Sequence, residues 1–437
     1  MTNHLRKKLD VNQSPVKFGG PADGPDAFTQ DVISIPAGGS ALLTNTTPVS
    51  RYDYQDYIFR TGLGTDNNVS ISGGRDKTKY YTSASYFYNE GIIKNTDFKR
   101  FSFRLNLDQE LAKWANLSVG LNYINSAGNE KPDGNSFFSP MNSVTIIGNF
   151  HNIWERDALG NIKAVGERLR VNPVSVIEDF KQRQETNRLI ASTSLKIRPA
   201  KGLTFDYTLG IDNYAQRGTT FMPPFAYFVS SATYGGYNPG KPPSVPPSID
   251  PSLNGYASTA VNNFFQINHE VNGTYQVNIN DDWASTTQIG YSLQYEKNGY
   301  TLAHGRGLAP LVETVNGAST ILPTSDSRTE ISISGEYLQQ NFKYRNQLFL
   351  TGAVRVDGSS AFGENERNQV YVKGSGSYIL SETGFWSKLP LAKWWNVAKV
   401  RMAYGESGNM TGIGAYDRFN AYSSLSYLGR TALLSSG

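Results

Sequence analysis

Between Phe101 and Asp108 the chain reads FSFRLNLD, and its two faces separate completely. Phe101, Phe103, Leu105 and Leu107 fall on one side, Ser102, Arg104, Asn106 and Asp108 on the other. Successive side chains of a strand alternate faces, so the octet predicts an amphipathic β-strand. The pattern recurs in LSVGLNY (Leu117–Tyr123) and in LTFDYTLG (Leu203–Gly210). A face holding Arg and Asp wants water, while one rich in aromatics wants lipid or a core. Written repeatedly, that combination predicts a transmembrane β-barrel.

Composition narrows the alternatives. The 437 residues carry 41 Lys+Arg against 37 Asp+Glu, so no polybasic nucleic-acid footprint is present. A mean hydropathy of -0.43 and the absence of a long apolar run argue against transmembrane helices but not against a barrel, whose strands are apolar on one face only. Gly 42, Tyr 26 and Phe 22 suit many strands, many turns and aromatic girdles. With Cys 0, disulfides, cysteine zinc sites and thiol catalysis are all excluded.

The expected strands are Asn67–Gly73, Lys79–Tyr88, Arg100–Gln109, Asn116–Ser126, Asn187–Ile197, Leu203–Asn213, Asn263–Asn278, Trp283–Gln294, Arg328–Tyr344, Gln347–Asp357, Gln369–Leu380 and Val397–Glu406, with Ala421–Leu428 weaker. Their connections alternate in length. Short ones at Arg75–Thr78, Glu110–Ala115, Pro199–Gly202, Asn280–Asp282 and Arg345–Asn346 are separated by long ones at Asn89–Lys99, Ala127–Glu185, Tyr214–Asn262, Tyr295–Ser327 and Gly358–Asn368. In an up-and-down sheet alternate connections lie at one end, and outer-membrane barrels have short periplasmic turns and long extracellular loops. A soluble sandwich has no reason to sort its loops this way. The connection Ser381–Asn396 is long for the short side; its Trp386, Trp394 and Trp395 suit either an inner interfacial belt or packing under a loop.

Residues 1–60 read as an irregular approach segment and residues 61–437 as a partial barrel. The first residues, MTNHLRKKLDVNQS, contain no apolar export segment and no cleavage site. A membrane barrel needs export, so the sequence is expected to be a piece of a longer protein.

Several stretches resemble one transporter family. NVSISGGRDKTKYYTSASYFYNEGIIKNTDFKR (Asn68–Arg100) resembles the early barrel of SusC/RagA-type TonB-dependent outer-membrane transporters, in its Ser70, Ser72, Gly73 and Gly74, its Tyr80, Ser83 and Tyr86, and its Glu90–Asn95, Asp97 and Arg100. YQDYIFRTG (Tyr54–Gly62) resembles the family's approach to that region. FLTGAVRVDGSSAFGENER (Phe349–Arg367) and KVRMAYGESGNMTGIGAY (Lys399–Tyr416) resemble two later motifs, the second with Ala403 where Ser is usual. The resemblance implies an all-β antiparallel barrel, of which this chain holds about 12–13 of an expected 22 strands, in the outer membrane of a Gram-negative, Bacteroidota-type bacterium. It implies TonB-driven import of glycans or peptides through an N-terminal plug lying outside this chain, with a SusD-like surface lipoprotein as lid. Outer-membrane lipid, that lipoprotein, the TonB complex and an oligosaccharide or peptide are the expected partners; no cofactor and no nucleic acid are expected. A passive porin and a secreted β-rich carbohydrate-binding or hydrolytic protein are the alternatives.

No enzymatic constellation stands out. His4, His151, His269 and His304 are scattered, with no paired spacing for a metal. Asp206, Glu270, Glu296 and Glu336 are expected mostly at lumen-facing or rim positions, and no nucleophile elbow is present. Gly73 and Gly74 are expected in a tight hairpin, supplying positive φ. Arg355, Asp357, Gly358 and Ser359 are expected as a turn with an inward ion pair, and Gly91, Gly405, Gly408 and Asn409 as structural motif positions. Substrate contact is expected from the aromatics of a Pro/Gly-stiffened long loop, Phe225, Tyr227, Phe228, Tyr234 and Tyr237, whose flat rings suit sugars or peptide side chains.

Overall fold

The computed structural model describes residues 52–136, 138–149, 151–156, 160, 162, 171–223, 255–309, 311–364, 367–409 and 413–419, and the strands β1 (Lys17–Phe18), β2 (Thr29–Ser34), β3 (Leu43–Pro48), β17 (Tyr422–Tyr427) and β18 (Arg430–Ser435). One antiparallel sheet of 13 strands dominates. Its members are β4 (Gly64–Arg75), β5 (Thr78–Glu90), β6 (Asp97–Ala112), β7 (Ala115–Asn129), β8 (Lys181–Ala200), β9 (Leu203–Met222), β10 (Tyr256–Asn278), β11 (Trp283–Leu308), β13 (Ser325–Tyr344), β14 (Leu348–Ser359), β15 (Asn368–Ile379) and β16 (Lys399–Gly405), each paired with its sequence neighbour, while the short β12 (Ala318–Ile321) lies against β11. β1–β3 form a separate three-stranded sheet within the segment expected to be irregular, and β17 pairs with β18 in a hairpin apart from the main sheet.

Register shows how the two faces are made. Leu105 pairs with Leu121, which pairs with Ala191, then Ile211, Ile267 and Tyr295, so one apolar row crosses six strands. One residue away, Asn106, Gly120, Ser192, Gly210, Asn268 and Gln294 form an equally continuous row of amides, hydroxyls and glycines. The apolar face is open to its surroundings: Ile289 is 62% exposed, Val271 44% and Phe103 37%. At the short-turn end it carries an aromatic row, with the rings of Trp283 and Tyr344 in tilted contact at 4.8 Å and Tyr378 in register through Leu348. Toward the long-connection end the same face carries the Lys297–Glu330 ion pair at 2.7 Å. An apolar band between an aromatic belt and an ionic rim is the lipid-facing surface of a transmembrane barrel, and the amide face is its lumen. The sorting of short and long connections holds on every strand pair from β4 to β15.

Residues buried out of all contact with solvent gather at the long-connection end. There α1 (Tyr54–Ile58), α2 (Pro140–Ile146) and α3 (Pro173–Glu178) pack with the intervening loops into a small cap. Tyr54, Ile147, Ile153, Ile162 and Val174 form one cluster, and Val171, Val176 and Phe180 a second. Each helix has a side-chain cap on a free N–H: Asp53 accepts from Gln55, Ser139 from Asn142 and Asn172 from Val174, the latter two with proline at the first helical turn.

Several expectations change. Gly73 and Gly74 lie inside β4 without positive φ; the hairpin's left-handed residue is Asp76, at φ 50°. What Gly73 provides is room, because a Cβ there would stand 2.7 Å from the Tyr80 hydroxyl laid across it. Asp357, Gly358 and Ser359 are the last residues of β14, still in register with β13, and the turn begins after them. β12 was not foreseen, and the strand pairs β8–β9 and β10–β11 extend well past the alternating segments.

Candidate functional site

The family-like motifs at Arg355–Asp357 and Gly405–Gly408 are 50 residues apart in sequence, yet they meet on the lumen face. Odd-numbered residues of β13, β14 and β15 point there, which brings Tyr337, Arg355 and Tyr371 into one register row. Together with Gln339, Asp357, Lys373 and the Glu406–Gly408 segment they line a cavity of about 390 Å³. Arg355 donates to Asp357 Oδ1 at 2.6 Å and reaches toward Ser292 Oγ at 3.5 Å. The carboxylate of Asp357 is the more buried partner, with 13% of its side chain exposed against 45% for the guanidinium. Glu406 is held at the rim by a hydrogen bond from the Tyr404 hydroxyl at 2.7 Å, and its N–H donates to Val372 O at 3.1 Å. Gly408 lies so close to the Tyr371 ring that no side chain fits between them. Tyr337 crosses Gly290 and donates to Asn272 Oδ1 at 2.9 Å. The cavity thus combines two rings, two cations and the Asp357 carboxylate on a rigid sheet, with Glu406 at its rim. Such a set stacks on flat ligand faces and hydrogen-bonds hydroxyls, amides or charged termini.

Sequence reading found Arg355, Asp357, Gly405 and Gly408 but missed Tyr337, Tyr371, Lys373 and Glu406. The signal was available as parity: Tyr371 and Lys373 alternate with Val370 and Val372, and β15 follows β14. The rest of the lumen carries further pairs, Arg188 gripping Asp212 with both nitrogens at 2.9 and 2.5 Å, and Lys196 with Asp206 at 3.1 Å. Glu270 accepts from Asn272 at 3.0 Å. Glu336 is the exception among the expected lumen carboxylates, since it pairs with Tyr291 and Val356 on the lipid-facing side. Ser359 is buried and its Oγ accepts from the Ala361 N–H at 3.2 Å, so it holds the end of β14 and faces no ligand. Phe225, Tyr227, Phe228, Tyr234 and Tyr237 lie outside the described residues.

Gly91 belongs to a second convergence, a clamp at the cap. Arg60 Nε donates to Gly91 O at 3.1 Å and its Nη2 to Thr96 O at 2.7 Å, while Gly91 N–H closes on Thr96 O at 2.9 Å. Asn95, at φ 60°, donates to Ile177 O of α3 at 3.0 Å. Tyr57 donates to Glu178 at 2.5 Å, and burial, with Glu178 beside it, pushes the phenol up to about 12. The GIIKN motif is therefore a knot tying the approach segment, the β5–β6 loop and α3 together.

The cap also holds two groups displaced toward neutrality. Burial, reinforced by Glu178, pushes Asp179 up to about 6 from its ordinary 3.8, and burial lowers Lys131 to about 8 from 10.5. A carboxyl with a raised folded pKa stabilises the fold below its unfolded value and loses that stabilisation as pH rises through about 6. An amine with a lowered folded pKa does the reverse, so stability returns as pH climbs above about 8. Hydrogen-exchange protection of residues 173–180 is expected to pass through a minimum between about pH 6 and 8. A protection maximum there would contradict the assignment.

Comparison with known proteins follows the same lines. No family model matches the chain. TonB-dependent receptor P39 of Formosa agariphila is 24% identical over 379 residues, covering 85% of this chain and 33% of that relative. TonB-dependent receptor P26 of the same organism is 24% identical over 398 residues, covering 88% of this chain and 36% of the relative. TonB-dependent receptor SusC of Bacteroides thetaiotaomicron is 46% identical over 55 residues, 13% of this chain and 6% of SusC. The chain thus spans about a third of the length of the long curated matches. In structure, the RagAB peptide transporter superposes with a TM-score of 0.69 at 19% identity, over 89% of this chain and 42% of its own, and shows the same fold. In motif order, sequence and sheet architecture, the chain is similar to the SusC/RagA-type TonB-dependent receptors and carries part of their outer-membrane barrel.

Proposed function

We propose that this chain is the substrate-lining wall of an outer-membrane, TonB-dependent importer of oligosaccharides or oligopeptides that works with a SusD-like surface lipoprotein. The observation that carries this reading is the lumen cavity of Tyr337, Arg355, Asp357, Tyr371 and Lys373, set on the polar face of a sheet whose other face is lipid-facing. Similarity to receptors named for TonB dependence supports an energised gate over a passive pore.

The test is uptake of labelled oligosaccharides and oligopeptides by cells carrying the full-length protein, with and without TonB. Uptake that stops without TonB supports the importer; uptake that persists makes the protein a porin; recovery of the protein in solution without detergent makes it a secreted binding protein. Arg355→Ala removes a charge-assisted contact and frees Asp357, and is expected to lower uptake about tenfold at unchanged surface abundance. Full uptake in that variant removes the cavity from the route.

A further inference from the structure

On the lipid-facing side, β9–β14 do not present a smooth wall. Phe205, Val271, Ile289, Leu338 and Val354 border a trough of about 510 Å³. Its floor is Gly273, where a side chain would crowd Ile289 Cγ2 at 3.3 Å and Phe205 Cε1 at 3.4 Å. Gly273 stands in register with Phe205 on one side and Ile289 on the other, and Leu338 and Val354 continue that row. The next outward row toward the long connections is Val271, Tyr291, Glu336, Val356. The trough is therefore apolar below and ends in a single carboxylate above.

The depth of that carboxylate is set by its strand. Glu336 is eight residues from Tyr344 in the aromatic belt, a climb of about 20 Å along a strand tilted near 40°. In an apolar band about 25 Å tall this lies in the outer part, close to the polar headgroups. Among the described residues no cation pairs with Glu336, whereas Glu330, three outward positions further up, has Lys297 at 2.7 Å. A charge facing lipid is disfavoured unless something polar meets it.

The geometry points to a lipid site: the trough holds one acyl chain against Gly273, and Glu336 receives the protonated amine of that lipid's headgroup. Charge complementarity selects the occupant, because an anionic headgroup would be repelled by the carboxylate and a fully methylated one has no N–H to donate. The orientation follows from the two rows, tail toward the aromatic belt and amine toward the long connections. This site is separate from the lumen cavity, and its test does not depend on what is transported.

The experiment uses the full-length protein in detergent, stripped of lipid and then offered equal phosphatidylethanolamine and phosphatidylglycerol, with retained lipid read by native mass spectrometry. Wild type is expected to keep phosphatidylethanolamine about fivefold over phosphatidylglycerol, the preference one favourable charge contact gives near a membrane surface. Glu336→Gln is expected to bring the ratio to one, and Gly273→Phe to abolish retention of both by filling the floor. Glu336→Leu serves as a second check on charge, since a lipid-facing leucine leaves the barrel folded, as judged by its heat-modifiable migration. Equal retention by wild type, or a preference that survives Glu336→Leu and Gly273→Phe alike, overturns the proposal. So does a wild-type dimer that Glu336→Leu dissociates, which would give the trough to a second copy of the chain.

Discussion

Leu105→Arg is expected to destabilise the membrane-inserted barrel by about 2–4 kcal/mol, while Asn106→Arg one position away is expected to stay within about 0.5 kcal/mol of wild type. Leu105 is central in β6 and 36% exposed, so contacts within the protein give little reason for it to be apolar. In water, an arginine on such a surface would be harmless. In hydrocarbon it must be desolvated or drag water into the bilayer, and that cost depends on depth. Asn106 faces the other way, beside Gly120, in a lumen where Arg104 already sits. The contrast therefore measures the environment of each face rather than the residue's tolerance to change. Urea unfolding of the full-length protein in lipid vesicles reads it directly. Equal stabilities for the two variants would mean that the apolar face does not meet lipid.

The same octet shows what was legible in the sequence. FSFRLNLD displays its two environments because each is chemically uniform along eight residues. The register then extends the pattern across neighbouring strands without exception from Leu105 to Tyr295. Where both sides of the wall stand in water, the alternation fades and the strands become hard to see. Lys181–Thr186, with side chains KQRQET, is as much part of β8 as the segment that follows, yet nothing in its polarity tells its faces apart. Asn298–Arg306 at the far end of β11 is similar, and β12, four residues long, has no period to detect. The cap was invisible for another reason. Tyr54, Ile153 and Val174 come from segments scattered over more than a hundred residues, and only tertiary folding brings them together. At the lumen cavity the motif glycines and the Arg355–Asp357 pair were readable locally. Tyr337, Tyr371 and Lys373 needed both strand order and parity, and each alone looks like an ordinary wall residue. The family-like motifs also divide by role: GIIKN ties the cap down, while the Arg355 and Gly408 segments shape the cavity.

Asn172→Ala is expected to cost the cap about 2–4 kcal/mol, a large loss for the removal of one amide group. Asn172 is fully buried, and both ends of its side chain are used. Its Oδ1 accepts from Val174 N–H at 2.9 Å, capping α3, and its Nδ2 donates to Ile153 O at 2.7 Å, binding α3 to the loop after α2. Alanine leaves that amide hydrogen and that carbonyl buried without these partners, and burying an unpaired polar group costs more than the bond itself contributed. A cavity of a few atoms between Ile153 and Val174, both with no exposure, adds to the loss. Asn172→Asp separates the two contributions, because it keeps the acceptor for Val174 N–H and loses the donor to Ile153, while placing a charge in the core. It should therefore be at least as damaging as alanine. The effect should stay local, since β7 and β8 remain paired over their whole length without α3. Limited proteolysis between residues 147 and 180 is expected to accelerate about thirtyfold or more in Asn172→Ala, as 2 kcal/mol of local stability dictates when cleavage follows opening, with the heat-modifiable migration of the barrel unchanged. A loss of the folded barrel itself would mean that the cap is part of the cooperative unit of the sheet; an unchanged cleavage rate would mean that Asn172 does not hold the cap closed.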